Sequence, residues 1–171
     1  DNRTLTSQAI DYYVPSNTGK YSSNGRLEDP KNVLTSIVGE YNFNTDNAVF
    51  TNNVDLVNSR DNYVIHTNKL LYNTRTNIAK LVEEAEITSD ENKIITSNGD
   101  YNTATEKANL YVKNGVQPKL FAKDDRTLEG DSIHYDRHTG EGTAIGNVTV
   151  NDPKHHAILT GGYGYHNETT H

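Results

Sequence analysis

The side chains that could do chemistry in this 171-residue chain are its histidines and its paired carboxylates. His134 and His138 lie four apart, His155 and His156 are adjacent, and His166 and His171 follow. Ligands four apart converge on a metal when they share one face of a helix, whereas adjacent strand residues point to opposite faces. These segments read as strand and turn, and no carboxylate arrangement is placed to orient the imidazoles. No metal site is expected. Glu83-Glu84 and Asp124-Asp125 have the residue types of a glycosidase acid pair. That chemistry needs two carboxyl groups facing each other across a cleft, one with a raised pKa. Neighbours in a polar linker stay solvated and ionised. The chain has no cysteine, which removes thiol nucleophiles, disulfides and thiolate metal sites. It also has no glycine-rich phosphate loop and no Gly-x-Ser-x-Gly elbow. Neither an enzyme nor a cofactor is expected.

The elements that carry these residues follow from composition and pattern. With a net charge of −7 and no two basic residues adjacent, the chain lacks the clustered Lys and Arg that phosphate contacts require, so a nucleic-acid partner is excluded. Only 33% of residues are hydrophobic, which borders on the composition of disordered chains. Eleven tyrosines and β-branched runs such as Tyr63-Val64-Ile65 and Lys93-Ile94-Ile95-Thr96 point instead to strands with one dry and one wet face. No apolar stretch approaches the 18 or so residues of a membrane-spanning helix. The chain does not begin with Met and carries no signal-peptide pattern, so it reads as a mature protein or an excised piece.

A repeat organises the whole chain. A Tyr-x-x-x-Thr pattern recurs at Tyr41/Thr45, Tyr72/Thr76, Tyr101/Thr105, Tyr135/Thr139 and Tyr165/Thr169, with a degenerate first copy at Tyr12/Ser16. The anchors are 29, 31, 29, 34 and 30 residues apart. Asn or Asp follows most of them (Asn42, Asn73, Asn102, Asp136), as a turn requires. Seven residues past each Tyr stands Gly19, Ala48, Ala79, Ala108 or Gly142. Nine past stand Tyr21, Phe50, Leu81, Leu110 and Ala144. Thirteen and fifteen past, the pairs are Gly25/Leu27, Val54/Leu56, Ala85/Ile87, Asn114/Val116 and Val148/Val150. Period-two alternation predicts a strand. Eleven past, the dry register is interrupted by Ser23, Asn52, Glu83 or Gly146, which predicts a bulge or a break into two short strands. A returning strand is expected six or seven residues before each anchor, at Leu5, Leu34, Ile65, Ile95, Leu128 and Leu159. The fold class is all-β: one domain over 1–171, of about five repeated antiparallel strand pairs.

With the frame in place, the chain resembles the OstA-like family of lipopolysaccharide-transport proteins, which includes LptA, LptC and the N-terminal domain of LptD. The phrases that carry the likeness are Gly130-Asp131-Ser132-Ile133-His134-Tyr135-Asp136-Arg137-His138-Thr139 and Gly142-Thr143-Ala144-Ile145-Gly146-Asn147-Val148. They are clearest in this last unit and weakest before residue 30. The units resemble the longer OstA-like proteins of Bacteroidetes-type bacteria more than the compact LptA of enteric bacteria. The resemblance implies an open, twisted β-jelly-roll in the periplasm. Two antiparallel sheets would hold lipid A acyl chains between them and leave the sugars in water. It implies lipopolysaccharide and other rolls of the same kind as partners, and head-to-tail self-association through edge strands. On that reading the inner apolar face that meets the acyl chains comprises Phe50, Val54, Leu56, Leu81, Ile87, Leu110, Val112, Val116, Val148 and Val150. Lys80 and Lys113 fall on the alternate register and are expected to face water. The same apolar face would serve a closed core, so a structural or carbohydrate-binding β-solenoid is the competing reading, and lipid binding discriminates the two.

Overall fold

A computed structural model describes residues 3–60, 62–90, 92–122 and 125–167. Asp124 therefore lies outside the described residues, as do His171 and Thr169. Among the described residues there are eighteen strands, one 3-10 turn at Val14–Ser16 and no α-helix. Every pairing is antiparallel. Two sheets are built in alternation. The chain lays down Thr4–Ser7 in sheet I and crosses to sheet II for Asp11–Tyr13 and Thr18–Tyr21. It then returns to sheet I for Gly25–Glu28 and Asn32–Ser36, and continues in this way to its last strand. Four long strands, Asn47–Asn58, Tyr63–Asn73, Glu141–Asp152 and Ala157–Asn167, run through both sheets.

The crossings lie where the dry register fails. Asn52 and Asn53 have φ of 66° and 52°, and the pairing slips between Thr51 and Val54. Gly146 and Asn147 do the same at φ 76° and 46°, with a slip between Ile145 and Val148. Only Gly and Asn enter this left-handed region at small cost, and paired there they bend a strand sharply. In other units the corner is a true break: Thr18–Tyr21 to Gly25–Glu28, and Ile78–Leu81 to Ala85–Ser89. The corners therefore form a spine on one side of the molecule, and the hairpin turns of both sheets form two lips on the other.

The repeat becomes rows of side chains running across the strands. In sheet I successive pairings align Leu5, Leu27, Leu34, Leu56, Ile65, Ile87, Ile94, Leu120, Leu128, Val150 and Leu159. Each is directly opposite the next, the arrangement in which side chains stabilise a sheet. In sheet II one row alternates large and small: Tyr12, Gly19, Tyr41, Ala48, Tyr72, Ala79, Tyr101, Ala108, Tyr135, Gly142, His166. The small residues at the seventh position are thus the floor on which the neighbouring rings lie. The ninth-position residues form a third row with Gly39, Leu70, Gly99, Ile133 and Gly164. Gly39 and Gly25 are required by close approach, since a Cβ on either would fall 2.4 or 2.2 Å from the Tyr21 ring.

The fourth unit departs from the frame. Val116, expected on the inner face, is 62% exposed, and Val112 is 38% exposed. The anchor spacing of 34 contains four extra residues, and Asn114-Gly115 takes positive φ at both positions (53° and 78°) between the bridged pair Lys113 and Val116. This is a tight Asn-Gly hairpin turn, which loops the excess out at the spine, and Leu120 enters the row in place of Val116. Val112 lies just past the end of Lys107–Tyr111 and has left the strand register. Lys113 is half-buried with its Nζ on the Val82 carbonyl, so it does not simply face water. Two anchors also shift by one: Ile94, not Ile95, is the inner residue, and His166, not Tyr165, ends the tyrosine row.

Truncating a side chain in the middle of the aliphatic row leaves a cavity that its neighbours on both sides cannot fill. Ile65→Ala is expected to lower stability in urea by about 2–5 kcal/mol, while Val116→Ala changes it by less than about 0.5 kcal/mol. Equal effects would show that the row is not the core.

Candidate functional site: the interior between the sheets

The space between the sheets is lined almost wholly by carbon. Val54, Leu56, Ile65, Leu70, Leu81, Leu110 and Ile133 have no solvent exposure, and Phe50, Ile87, Ile94, Leu128 and Val148 are buried with them. Of the residues expected on the inner face, Phe50, Val54, Leu56, Leu81, Ile87, Leu110 and Val148 come together there, and Val150 packs half-buried against them. Val112 and Val116 do not. Ile65, Leu70, Ile94, Leu120, Leu128 and Ile133 belong to the same interior but stand on the returning strands, for which only the opening residues were aligned. Ile65 and Leu128 are opening residues themselves, and Leu70 and Ile133 stand two residues before Tyr72 and Tyr135, where counting back from the tyrosine finds them. Ile94 is one residue off its expected position, and Leu120 follows the insertion.

The interior changes along its length. Through the middle it is closed, with Leu56, Ile65, Leu81 and Leu110 fully buried. Toward the C-terminal end Leu120, Leu128 and Val150 of sheet I and Tyr165 and His166 of sheet II line a cavity of about 90 Å³. Beyond it Leu159, the last member of the aliphatic row, is 62% exposed.

The lips are polar, and their chemistry explains the Tyr-Asx-x-x-Thr phrase. In each turn the Asn or Asp side-chain oxygen accepts hydrogen bonds from the backbone N–H groups two and three residues on. Asn42 takes Asn44 and Thr45 (3.0 and 3.1 Å), and Asn73 takes Arg75 and Thr76 (3.1 and 2.8 Å). Asn102 takes Ala104 and Thr105 (2.9 and 3.0 Å), and Asp136 takes His138 and Thr139 (3.0 and 3.3 Å). These are Asx turns, in which a side chain stands in for backbone. The tyrosine then reaches forward to the next unit: Tyr41 Oη to Thr74 Oγ1 at 2.9 Å, Tyr72 Oη to Thr103 Oγ1 at 3.0 Å. The hydroxyls of Tyr41 and Tyr72 are thereby satisfied, and their units are tied to the ones that follow. Facing them on sheet I stand Asn32, Asn58, Tyr63 and Asn92, with the Tyr63 hydroxyl on Asn32 at 3.3 Å.

The carboxylates act as structure. Burial pushes the Asp136 carboxyl up, but Lys107 at 3.0 Å and the two turn N–H groups outweigh it and hold it below the ordinary value. Lys93 at 2.6 Å likewise lowers Glu86. Glu83 and Glu84 are exposed at a corner. The histidines pair individually: His134 with Asn109 at 2.9 Å, His155 with Asp152 at 2.8 Å, His66 with Asp55 at 2.7 Å. Among the described residues no three His, Asp or Glu side chains are grouped as metal ligands. No described helix is long and apolar enough to cross a membrane.

The tyrosines are the titrating part of the interior. Burial raises the pKa of Tyr21, Tyr63, Tyr72 and Tyr101, and of the half-buried Tyr41. A raised folded-state pKa stabilises the protein below the unfolded value, near 10, and the stabilisation is lost as pH rises through the folded value. Ionisation of these rings, followed by absorbance near the phenolate band, is therefore expected to coincide with cooperative unfolding above about pH 10. Full ionisation in a protein that keeps its circular dichroism would show that the rings are not buried.

Comparison with known proteins agrees with this architecture. The family model described as OstA-like protein matches twice, over residues 1–64 and 59–122. The second match begins about two units after the first, as the repeat requires. Both matches end before the unit whose phrases stand out most, and they include the first unit, where those phrases are weakest. No curated protein sequence matches the chain. Among solved structures, the chain is similar to LptH, the LptA-homologous periplasmic component of the lipopolysaccharide transport device of Pseudomonas aeruginosa. The TM-score is 0.59 at 14% sequence identity, over 76% of this chain and 93% of that one. The chain is a member of the OstA-like protein family.

Proposed function

We propose that this chain is a lipopolysaccharide-binding transport protein of the periplasm, which shields lipid A acyl chains between its two sheets and forms part of a bridge toward the outer membrane. The observation that carries the reading is the uninterrupted apolar interior running the length of two facing sheets, in a fold shared with a periplasmic lipopolysaccharide-transport component. Each buried CH₂ contributes about 0.8 kcal/mol, so acyl chains bind such an interior without a specific polar contact. The mixed lips, where Arg75 pairs with Asp46 and Arg137 with Glu106, suit a sugar headgroup left in water. Partners of the same fold would add to the terminal strands. Thr4–Ser7, Asp11–Tyr13 and Ala157–Asn167 each pair on one side only among the described residues, and such edges accept further strands.

The closed middle of the interior favours a second reading, a structural β-solenoid-like repeat in which the apolar rows are only a core. A photo-crosslinking residue separates the two. Placed at Leu110 it is expected to capture lipid A, and at Asn109, which points to the opposite face, it is not. Capture at both positions, or at neither in a folded protein, would leave the structural reading. Edge-strand association would appear as a sedimentation coefficient that rises with concentration, and a constant value would remove it.

A further inference from the structure

Midway along the lips the forward relay of tyrosine to threonine changes character. Tyr41 has Thr74 and Tyr72 has Thr103, but the equivalent partner of Tyr101 is Arg137. The backbone equivalence is direct. Arg137 N donates to Glu106 O (3.1 Å) as Thr74 N does to Asp46 O and Thr103 N to Asn77 O (2.9 Å each). Arg137 makes no hydrogen bond to Tyr101, whose buried hydroxyl interacts instead with that of Tyr63. The arginine crosses toward sheet I. Its guanidinium lies 5.7 Å from the centre of the Tyr63 ring and holds Glu106 at 3.0 Å, with both charged side chains mostly buried. Tyr63 in turn packs against Tyr101 across the lips at 5.1 Å between centroids. One strand pair further on, Asn92 of sheet I donates to Tyr135 of sheet II at 3.2 Å.

Glu106 marks this turn as special. It has φ of 58°, a position filled by Asp46 and Asn77 in the preceding units. A glutamate is poorly suited to that conformation, whereas its carboxylate is what the arginine needs. The cluster thus departs from the repeat at Glu106 and Arg137 together: their ion pair joins neighbouring turns of sheet II, and the guanidinium reaches across the lips to Tyr63.

We propose that Tyr63, Tyr101, Glu106 and Arg137, with Asn92 and Tyr135, form a latch that holds the lips shut over the middle of the interior and must release for acyl chains to enter. This rests on the lipid-binding reading above. Across the lips the latch holds through ring contacts and the Asn92–Tyr135 hydrogen bond, while its ion pair lies within sheet II, so closure is open to competition from a ligand. Beyond it, the cavity beside Leu120, Leu128 and Val150 is where an acyl chain first meets the interior.

The chain lacks cysteine, so spin labels at Arg60→Cys and Ala104→Cys, exposed turn positions on opposite lips, report their separation without background. The unaltered lips are expected to give one narrow distance distribution. Arg137→Thr with Asn92→Ala, which restores the threonine of the other units and removes the second tie, is expected to broaden it toward longer distances. Tyr101→Phe should leave it narrow. The loosened protein should also take up fluorescent lipid A faster, on the order of tenfold, as loss of a charge-assisted contact would allow. Unchanged lip distances in the loosened, folded protein overturn the latch, even if lipid A binds. Widened lips with no uptake by any variant keep the latch and overturn the lipid reading. If the double variant fails to fold, Arg137→Thr alone carries the same measurement.

Discussion

Two sheets made from one repeating chain can share an interior only if each strand that crosses between them turns its corner so that apolar residues face inward on both sides of it. Phe50 and Val54 both face inward, and the residue between them that alternation would bury, Asn52, is extruded at the spine in a left-handed conformation. Gly146 and Asn147 repeat the device. Outgoing strands keep their phase across the corner (Phe50 to Val54, Ala144 to Val148), and the returning strand shifts by one (Thr67 to Leu70). Because the units do this alike, the inward positions recur at nearly fixed distances from the tyrosines, and the pairings align them into rows. The core, the alternation of rings with Ala and Gly, and the ties of Tyr41 and Tyr72 to the next unit all follow from that geometry.

The same constraint governs where the molecule tolerates change. An insertion at a corner costs little, because the chain there is already leaving both sheets. The four extra residues before Leu120 are absorbed by an Asn114-Gly115 turn, and the aliphatic row continues from Ile94 to Leu120 without a gap. An insertion in a strand would turn every later side chain to the other face. Polar groups obey a parallel division. Asx turns and most cross-strand ion pairs occupy the lips and outer faces, where water screens them, and the interior is left mainly to hydrocarbon and tyrosine, with Ser36, Thr67 and Thr96 buried near the corners.

Much of this was legible in the residues. The tyrosine frame, the small seventh-position residues, the corner at the eleventh position and the all-β class were available from spacing alone. What escaped has physical reasons. Val112 stands eleven past Tyr101, the position at which the units turn their corner. Val116 stands fifteen past, an inward position in the other units, but four surplus residues precede the strand here. The Asn-Gly dipeptide at 114 and 115 was the signal that located them. Ile94 and Ile95 are both β-branched and apolar, so only the seven-residue distance shared by Leu5, Leu34, Ile65 and Leu128 decides between them. The latch could not be read at all. Arg137 and Glu106 look like surface charges in a turn, and their burial depends on the opposite sheet, which no local pattern encodes.

The central claim is that the space between the sheets receives hydrocarbon. Selective methyl labelling of Leu, Ile and Val in the intact protein, with intermolecular nuclear Overhauser effects recorded against a soluble lipid A analogue, tests it most directly. Contacts from acyl protons to Leu56, Ile65, Leu81 and Leu110, with none to the outward-facing Val49 and Val64, are the expected result. Contacts confined to the outer valines, or tight binding that leaves the inner methyl groups untouched, would contradict it.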